Sequence, residues 1–188
     1  MTEKKKEQKQ ASVFRELLGW VIYILIIVAL TYLIITYVGQ RTSVRGQSME
    51  NTLQNGDQLI VEKLSYRFHD PERFDIIVFP YEYEEDTYYI KRIIGLPGET
   101  VQVKDGYVYI NGELLESDIY GAEVMEFGGI ASEPVILGEN EYFVLGDNRN
   151  HSSDSRDPSV GVLTRDDLIG RAWVRIYPFK TMGVIKHE

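Results

Sequence analysis

The sequence has no cysteine, which excludes a disulfide framework and a thiolate metal site and leaves the redox state of its compartment unread. Histidine is nearly as scarce. His69, His151 and His187 stand apart from one another, and the scattered carboxylates show no ligand spacing, so neither a metal nor another cofactor is expected. Positive charge is in deficit: 20 Lys and Arg face 29 Asp and Glu, giving a net charge of −9. Several of the lysines crowd the N-terminus, so the remainder is more acidic still, and nucleic acid, which needs clustered Lys and Arg, is excluded as the main partner. Internal repeats are also absent.

A different absence is informative in the opposite sense. No residue from Leu17 to Val38 is charged, and at about 1.5 Å per residue this stretch spans a hydrocarbon core of roughly 30 Å. It is longer than a cleavable signal peptide's apolar region and is closed by Tyr37-Val38-Gly39-Gln40-Arg41, so it reads as an anchor that stays. Lys4, Lys5, Lys6, Lys9 and Arg15 precede it, and only Arg41 and Arg45 follow closely, which puts the N-terminus in the cytoplasm. The expected organisation is a basic, disordered tail over 1–16, a transmembrane helix over 17–38, and an extracytoplasmic domain over 39–188. Its partners would include the lipid bilayer; its oligomeric state is not legible.

After the anchor, helical periodicity gives way to strand signals. Strands are predicted over Gln58–Lys63, Asp75–Phe79, Tyr88–Leu96, Thr100–Lys104, Tyr107–Ile110, Tyr142–Leu145 and Ala172–Tyr177. Asp105-Gly106 and Asn111-Gly112 carry strong hairpin signals and join the middle of this series to Glu113-Leu114-Leu115 as a three-stranded meander. Asp70-Pro71 and Leu96-Pro97-Gly98 are turns, and Thr164-Arg165-Asp166-Asp167 can start a short helical turn. The stretch 116–140, broken by glycines and Pro134, reads as a small irregular insertion or flap. The fold class is therefore mainly β, an antiparallel sheet domain preceded by one transmembrane helix. Its many aromatic residues are mostly core and cross-strand pairs, although apolar loop residues near Ser48 would suit a lipid interface.

Three polar blocks stand against this background. Lys91 lies in the β-type run Tyr88-Tyr89-Ile90-Lys91-Arg92-Ile93-Ile94, where alternation puts Tyr89, Lys91 and Ile93 on one face and Ile90, Arg92 and Ile94 on the other. Desolvation can lower a lysine pKa from about 10.4 by roughly 3 to 5 units and so make it a general base; the plainer alternative is a lysine that snorkels to the surface. Ser48 lies just past the anchor in Val44-Arg45-Gly46-Gln47-Ser48-Met49-Glu50-Asn51-Thr52-Leu53, where Gly46 frees the backbone to bend. A third block, Gly146-Asp147-Asn148-Arg149-Asn150-His151-Ser152-Ser153-Asp154-Ser155-Arg156, is dense in groups able to form a rigid hydrogen-bonded network.

Taken together, these blocks resemble the type I signal peptidases, serine endopeptidases that remove signal peptides from exported proteins. The resemblance rests on Ser48-Met49 with Thr52-Leu53, on Tyr89-Ile90-Lys91-Arg92 with Gly95-Leu96-Pro97-Gly98, and on Gly146-Asp147-Asn148-Arg149 with Ser152, Asp154, Ser155 and Arg156. It runs in order along nearly the whole chain, and the single anchor is similar to the Gram-positive branch. The resemblance implies that Ser48 is the nucleophile and Lys91 the general base of a Ser/Lys dyad acting through an acyl-enzyme after Ala-x-Ala-type sites. It also implies that Ser152 helps hold the lysine, that Asp147 pairs with Arg92 and Asp154 with Arg156, and that Met49, Leu53, Val44, Tyr89 and Ile90 line the pockets for small residues. The partners implied are the signal peptides of exported preproteins. Two departures bear on efficiency: Asn51 stands where the family usually has proline, and Gly46 where the Gram-negative branch has an oxyanion-hole serine, which leaves the Ser48 amide as the donor that can be named. Three alternatives remain at this stage. They are a Ser-His-Asp triad through His151, a self-cleaving repressor peptidase with the same dyad, and a catalytically weak or inactive membrane-tethered binding relative.

Overall fold

A computed structural model describes residues 3–34, 36, 39–81, 87–121 and 123–187. The chain divides into two compact units, Met1–Gly39 and Gln40–Glu188. The first is built on α1 (Glu3–Leu33), so the segment expected to be a disordered tail is helical from Glu3 onward. Within α1, Phe14–Leu33 has a mean hydropathy of 2.2 and is long and apolar enough to cross a membrane, and its side chains are exposed. Of the anchor expected over 17–38, positions 35, 37 and 38 lie outside the described residues.

The second unit is antiparallel β throughout its described pairings. Its strands are β1 (Gly39–Ser43), β2 (Gln58–Glu62), β3 (Ile76–Pro80), β4 (Tyr88–Gly95), β5 (Thr100–Lys104), β6 (Tyr107–Ile110), β7 (Glu113–Leu114), β8 (Val135–Ile136), β9 (Glu141–Leu145), β10 (Leu163–Thr164), β11 (Gly170–Tyr177) and β12 (Gly183–Val184). The larger sheet runs β1-β2-β11-β3-β4-β9-β10, with β12 also on β11; the smaller runs β7-β6-β5-β8. The predicted meander is β5-β6-β7, with Asp105 and Asn111 at positive φ in its two Gly-containing turns. Thr164 and Asp167 form a reciprocal capping box around the helical turn Arg165–Asp167.

Burial follows strand alternation. On β4, Ile93 packs with Phe79 and Val144 in one cluster and Ile94 with Val101 and Phe143 in another, while Ile90 leans on a third, which holds Met49, Leu53, Leu59 and Ile76. The irregular stretch after β7 is not a detached flap. It supplies β8, Met125, Ala131 and Leu137 to the core beneath the smaller sheet, so its backbone is irregular while its apolar side chains are fixed. Of the aromatic residues, Phe79, Tyr142 and Phe143 are core, whereas Phe68, Trp173 and Phe179 are exposed.

One detail of register sets up the site. β4 pairs with β3 from Tyr88 to Arg92, but β9 joins its other edge only from Arg92, opposite Leu145. Before Arg92 that edge has no β9 partner, and β9 turns away there into the Gly146–Arg156 block.

Candidate active site

Residues 44–57 form a loop closed at its neck by backbone hydrogen bonds, Val44 N–H to Asp57 O at 2.8 Å and Gly56 N–H to Val44 O at 2.9 Å. Gly46 takes φ +91°, a conformation L side chains rarely adopt, and its N–H donates to Asn55 Oδ1 at 3.1 Å. Met49 and Leu53 point inward and are 1% and 0% exposed. With its apolar side buried, the loop turns Ser48 toward β4.

There the Ser48 hydroxyl meets Lys91: Oγ and Nζ are 2.8 Å apart. Lys91 Nζ also donates to the Ile90 carbonyl at 3.0 Å and lies 4.9 Å from the centre of the Tyr89 ring. The side chain is buried, and among the described residues no carboxylate forms an ion pair with it. Burial is the dominant influence on its pKa and pulls it down to about 8, against the opposing fields of Asp154 and Asp147. Near neutrality about a tenth of such amines are unprotonated, enough to accept a proton from a neighbouring hydroxyl.

The next residue is treated in the opposite way. Arg92 Nε and Nη2 donate to the two oxygens of Asp147 at 2.8 and 2.7 Å, and Nη1 donates to Phe74 O at 2.8 Å. Both members of the pair are fully buried. Thr52, on the Ser48 loop, donates its hydroxyl to Asp147 and accepts from Arg92 Nη2 at 3.3 Å, so the pair expected from the sequence also grips the loop. The loop thus straddles β4, with Ser48 at Lys91 and Thr52 at Arg92, rather than meeting the Lys91 face alone.

The Gly146–Arg156 block braces the same loop. Asn148 N–H donates to Ser48 O at 3.0 Å, and Asn148 Nδ2 to Gln47 O at 3.1 Å. Asp154 receives Arg156 Nε and Nη2 at 2.8 and 2.9 Å and Gly146 N–H at 3.1 Å, which pairs Asp154 with Arg156 as expected. A Cβ at Gly146 would stand 2.5 Å from Ser48 O and 2.3 Å from Ser152 Oγ, so the close packing of block on loop needs glycine there.

Not every expected contact is present. Ser152 is not bonded to Lys91: its buried hydroxyl has no partner among the described residues, because the amine is turned to Ser48 and the Ile90 carbonyl. A cleft of about 610 Å³ opens beside Ser48 and Lys91, lined by Val44, Tyr89 and Ile90, with His151 and Ser153 opposite, but not by Met49 or Leu53. Those two belong to the core, where their side chains escape water. Asn51, expected to loosen the turn for want of a proline ring, donates its amide to Tyr120 O at 3.3 Å and Asp147 O at 3.1 Å and so ties the turn down by other means. His151 lines the cleft, but the Ser48 hydroxyl is paired with Lys91. His187 has a largely buried side chain and accepts Ile76 N–H on Nδ1 at 3.0 Å. Burial and the Arg171 charge hold its pKa down to about 4. Among the described residues no three His, Asp or Glu side chains gather closely enough to hold a metal ion.

A family model described as signal peptidase, peptidase S26, matches residues 17–177. The chain is 41% identical over 193 residues to the probable signal peptidase I-2 of Synechocystis sp., an alignment covering 100% of this chain and 84% of that protein. It is 36% identical to the signal peptidase I of Bacillus licheniformis, covering 95% of this chain and 96% of that one. A crystal structure of a signal peptidase I from Enterococcus faecalis is 36% identical, covers 55% of this chain and 97% of that chain, and has a TM-score of 0.44.

Proposed function

Since the chain belongs to the signal peptidase family, peptidase S26, we propose that it cleaves signal peptides from exported preproteins by a Ser/Lys dyad, with Ser48 as nucleophile and Lys91 as general base. The observation that carries this reading is a buried lysine with no carboxylate pair among the described residues, its amine 2.8 Å from a serine hydroxyl in the lining of a cleft. Unprotonated Lys91 takes the Ser48 proton as Oγ attacks the carbonyl carbon before the scissile bond. The resulting ammonium returns the proton to the departing amine, leaving an ester on Ser48. Lys91 then takes a proton from water, which attacks that ester, and Ser48 recovers its proton as the acid product leaves.

The Ser48 amide has no acceptor among the described residues and is the donor we assign to the developing oxyanion. Ser152, whose buried hydroxyl has no partner among the described residues, is the group we assign to take a lysine N–H while Ser48 Oγ is engaged in attack. The substrate lies extended in the cleft between residues 40–48 and 87–91, adding to the part of the β4 edge that β9 leaves free. Val44, Tyr89 and Ile90 crowd that space and favour small side chains of the Ala-x-Ala kind. The apolar helix is the anchor in this reading, with 1–16 cytoplasmic, 17–38 in the bilayer and 39–188 outside, the orientation resting on the basic residues that precede it.

The test uses the detergent-solubilised full chain and a preprotein bearing Ala-x-Ala. Wild type and His151→Ala should both release the mature protein, and Ser48→Ala should not. Equal output from wild type and Ser48→Ala would overturn the dyad and favour a tethered binding protein.

A further inference from the structure

Tyr120 belongs to no strand or helix, yet four separate segments of the chain converge on it. Its ring covers the Arg92 guanidinium, with Cζ 3.5 Å from the ring centre, and packs against Phe74 at 5.2 Å between centres. Its carbonyl accepts Asn51 Nδ2 at 3.3 Å, and its hydroxyl donates to the carbonyl of His187 at 3.2 Å. Each of these partners is itself held. Asn51 places its amide nitrogen between Tyr120 O and Asp147 O, and His187 is fixed to β3 through Ile76 N–H. The flanks of Tyr120 are pinned too: Asp118 receives both Arg149 terminal nitrogens at 2.6 and 2.7 Å, and a Cβ at Gly121 would come within 2.9 Å of that same guanidinium.

The chemistry of the guanidinium says what such a ring is for. In its plane Arg92 is occupied by Asp147, Thr52 and the Phe74 carbonyl, but the flat faces of a guanidinium offer no hydrogen bond. An aromatic face covers one of them favourably and keeps out water that would otherwise compete for Asp147. The same Asp147 receives the Thr52 hydroxyl, so loosening the ion pair loosens the loop that carries Ser48. Asn51 links that loop to Tyr120 a second time, through the backbone.

We propose that Tyr120 is a positioning residue for Ser48: by capping Arg92 and taking the Asn51 amide on its carbonyl it fixes the Ser48 loop over Lys91, and the C-terminal residues lock it there through His187. The proposal rests on the reading of Ser48 and Lys91 as the reacting pair. Attack requires Oγ to keep its contact with the amine while reaching a carbonyl carbon, and a displacement of about 1 Å in such an arrangement costs on the order of a hundredfold in rate. The alignment of Oγ with the carbonyl carbon has to be met in the transition state, so the loss is expected in turnover more than in substrate binding.

The experiment measures kcat and KM for the full chain on the same preprotein, together with its thermal midpoint. Tyr120→Leu should lose roughly ten- to a hundredfold in kcat with KM within about twofold of wild type. Tyr120→Phe, which keeps the ring on Arg92 and gives up the bond to His187, should recover most of that loss. Asn51→Ala, an exposed change that leaves the ring in place, should cost about three- to tenfold in kcat. A folded Tyr120→Leu with wild-type kcat, losses confined to KM, or a phenylalanine variant as slow as the leucine one would overturn the proposal. Should the leucine variant not fold, wild-type kcat in Asn51→Ala overturns it and a selective fall in kcat upholds it. Failure of the functional reading has its own signature, wild-type cleavage by Ser48→Ala, and would remove this proposal with it.

Discussion

Lys91 and Arg92 are adjacent cations on one strand, 3% and 0% exposed, and the fold treats them oppositely. Around Arg92 it gathers a bidentate carboxylate, a hydroxyl, a backbone carbonyl and a ring, so the charge is permanent and the residue serves as a fastening. Around Lys91 it gathers a serine hydroxyl, the Ile90 carbonyl and apolar bulk, with no carboxylate pair among the described residues, so the charge becomes conditional. Desolvation acts on both. What differs is compensation: a buried ion is tolerated when its partners meet it with good geometry, and otherwise gives up its proton, which lysine can do and arginine cannot. Alternation makes the contrast possible, because neighbouring residues on a strand face different surroundings.

The sharpest way to break the contrast is to put an arginine in the lysine position. Lys91→Arg should be as inactive in preprotein cleavage as Lys91→Ala, a loss on the order of 10⁴-fold or more, since neither can take a proton from Ser48. Arginine activity near wild type would dismiss Lys91 as the base.

Breaking the fastening should show in stability. Arg92→Ala strands a buried Asp147 and should lower the unfolding free energy in urea by about 3 to 5 kcal/mol. A loss below about 1 kcal/mol would mean that the pair is hydrated in solution.

Removing the conditional charge should act the other way. The pKa of Lys91 in the folded chain, about 8, lies below the ordinary 10.5, so between those values the unfolded chain binds the extra proton and stability rises with pH. Below about 8 the folded state carries the full penalty, about 3 kcal/mol at 1.36 per unit. Lys91→Met should therefore stabilise the protein by up to about 3 kcal/mol at pH 7 and by nothing near pH 11, while abolishing cleavage. Wild-type cleavage should rise about tenfold per pH unit below about 8 and level off above it, and a rate flat from pH 6 to 9 would contradict a titrating base.

The smallest effect calibrates the rest. Arg73 and Glu99 also form a bidentate pair, but each is about a fifth exposed. Arg73→Ala should cost less than about 1 kcal/mol in the same urea titration, which separates the contribution of geometry from that of burial.

The sheet was legible wherever a strand announced itself by alternation and a turn. β5, β6 and their Asp-Gly turn lie where the pattern put them, and β4 differs from its predicted span by one residue. β8, β10 and β12 were not legible, because each is a two-residue pairing set by a neighbour's edge rather than by its own side chains. At the site, residue types and order singled out Ser48 and Lys91, which the fold brings to 2.8 Å of each other, and the two ion pairs. They could not show that Met49 and Leu53 face the core, that Ser152 Oγ lacks a bond to the lysine, or that Asn51 replaces a fixed φ with two side-chain hydrogen bonds. Each of those depends on which distant segment stands opposite.

By itself, then, the sequence determined what local chemistry can express: an apolar helix, a strand alternating around two cations, glycine where the backbone needs positive φ, and the groups able to react. Only the tertiary structure decided which of the two cations would be paired. The turn after β9 brings a carboxylate to Arg92 and the loop after β1 brings a hydroxyl to Lys91, and whether a buried charge is kept or surrendered depends on neighbours that are remote in the chain.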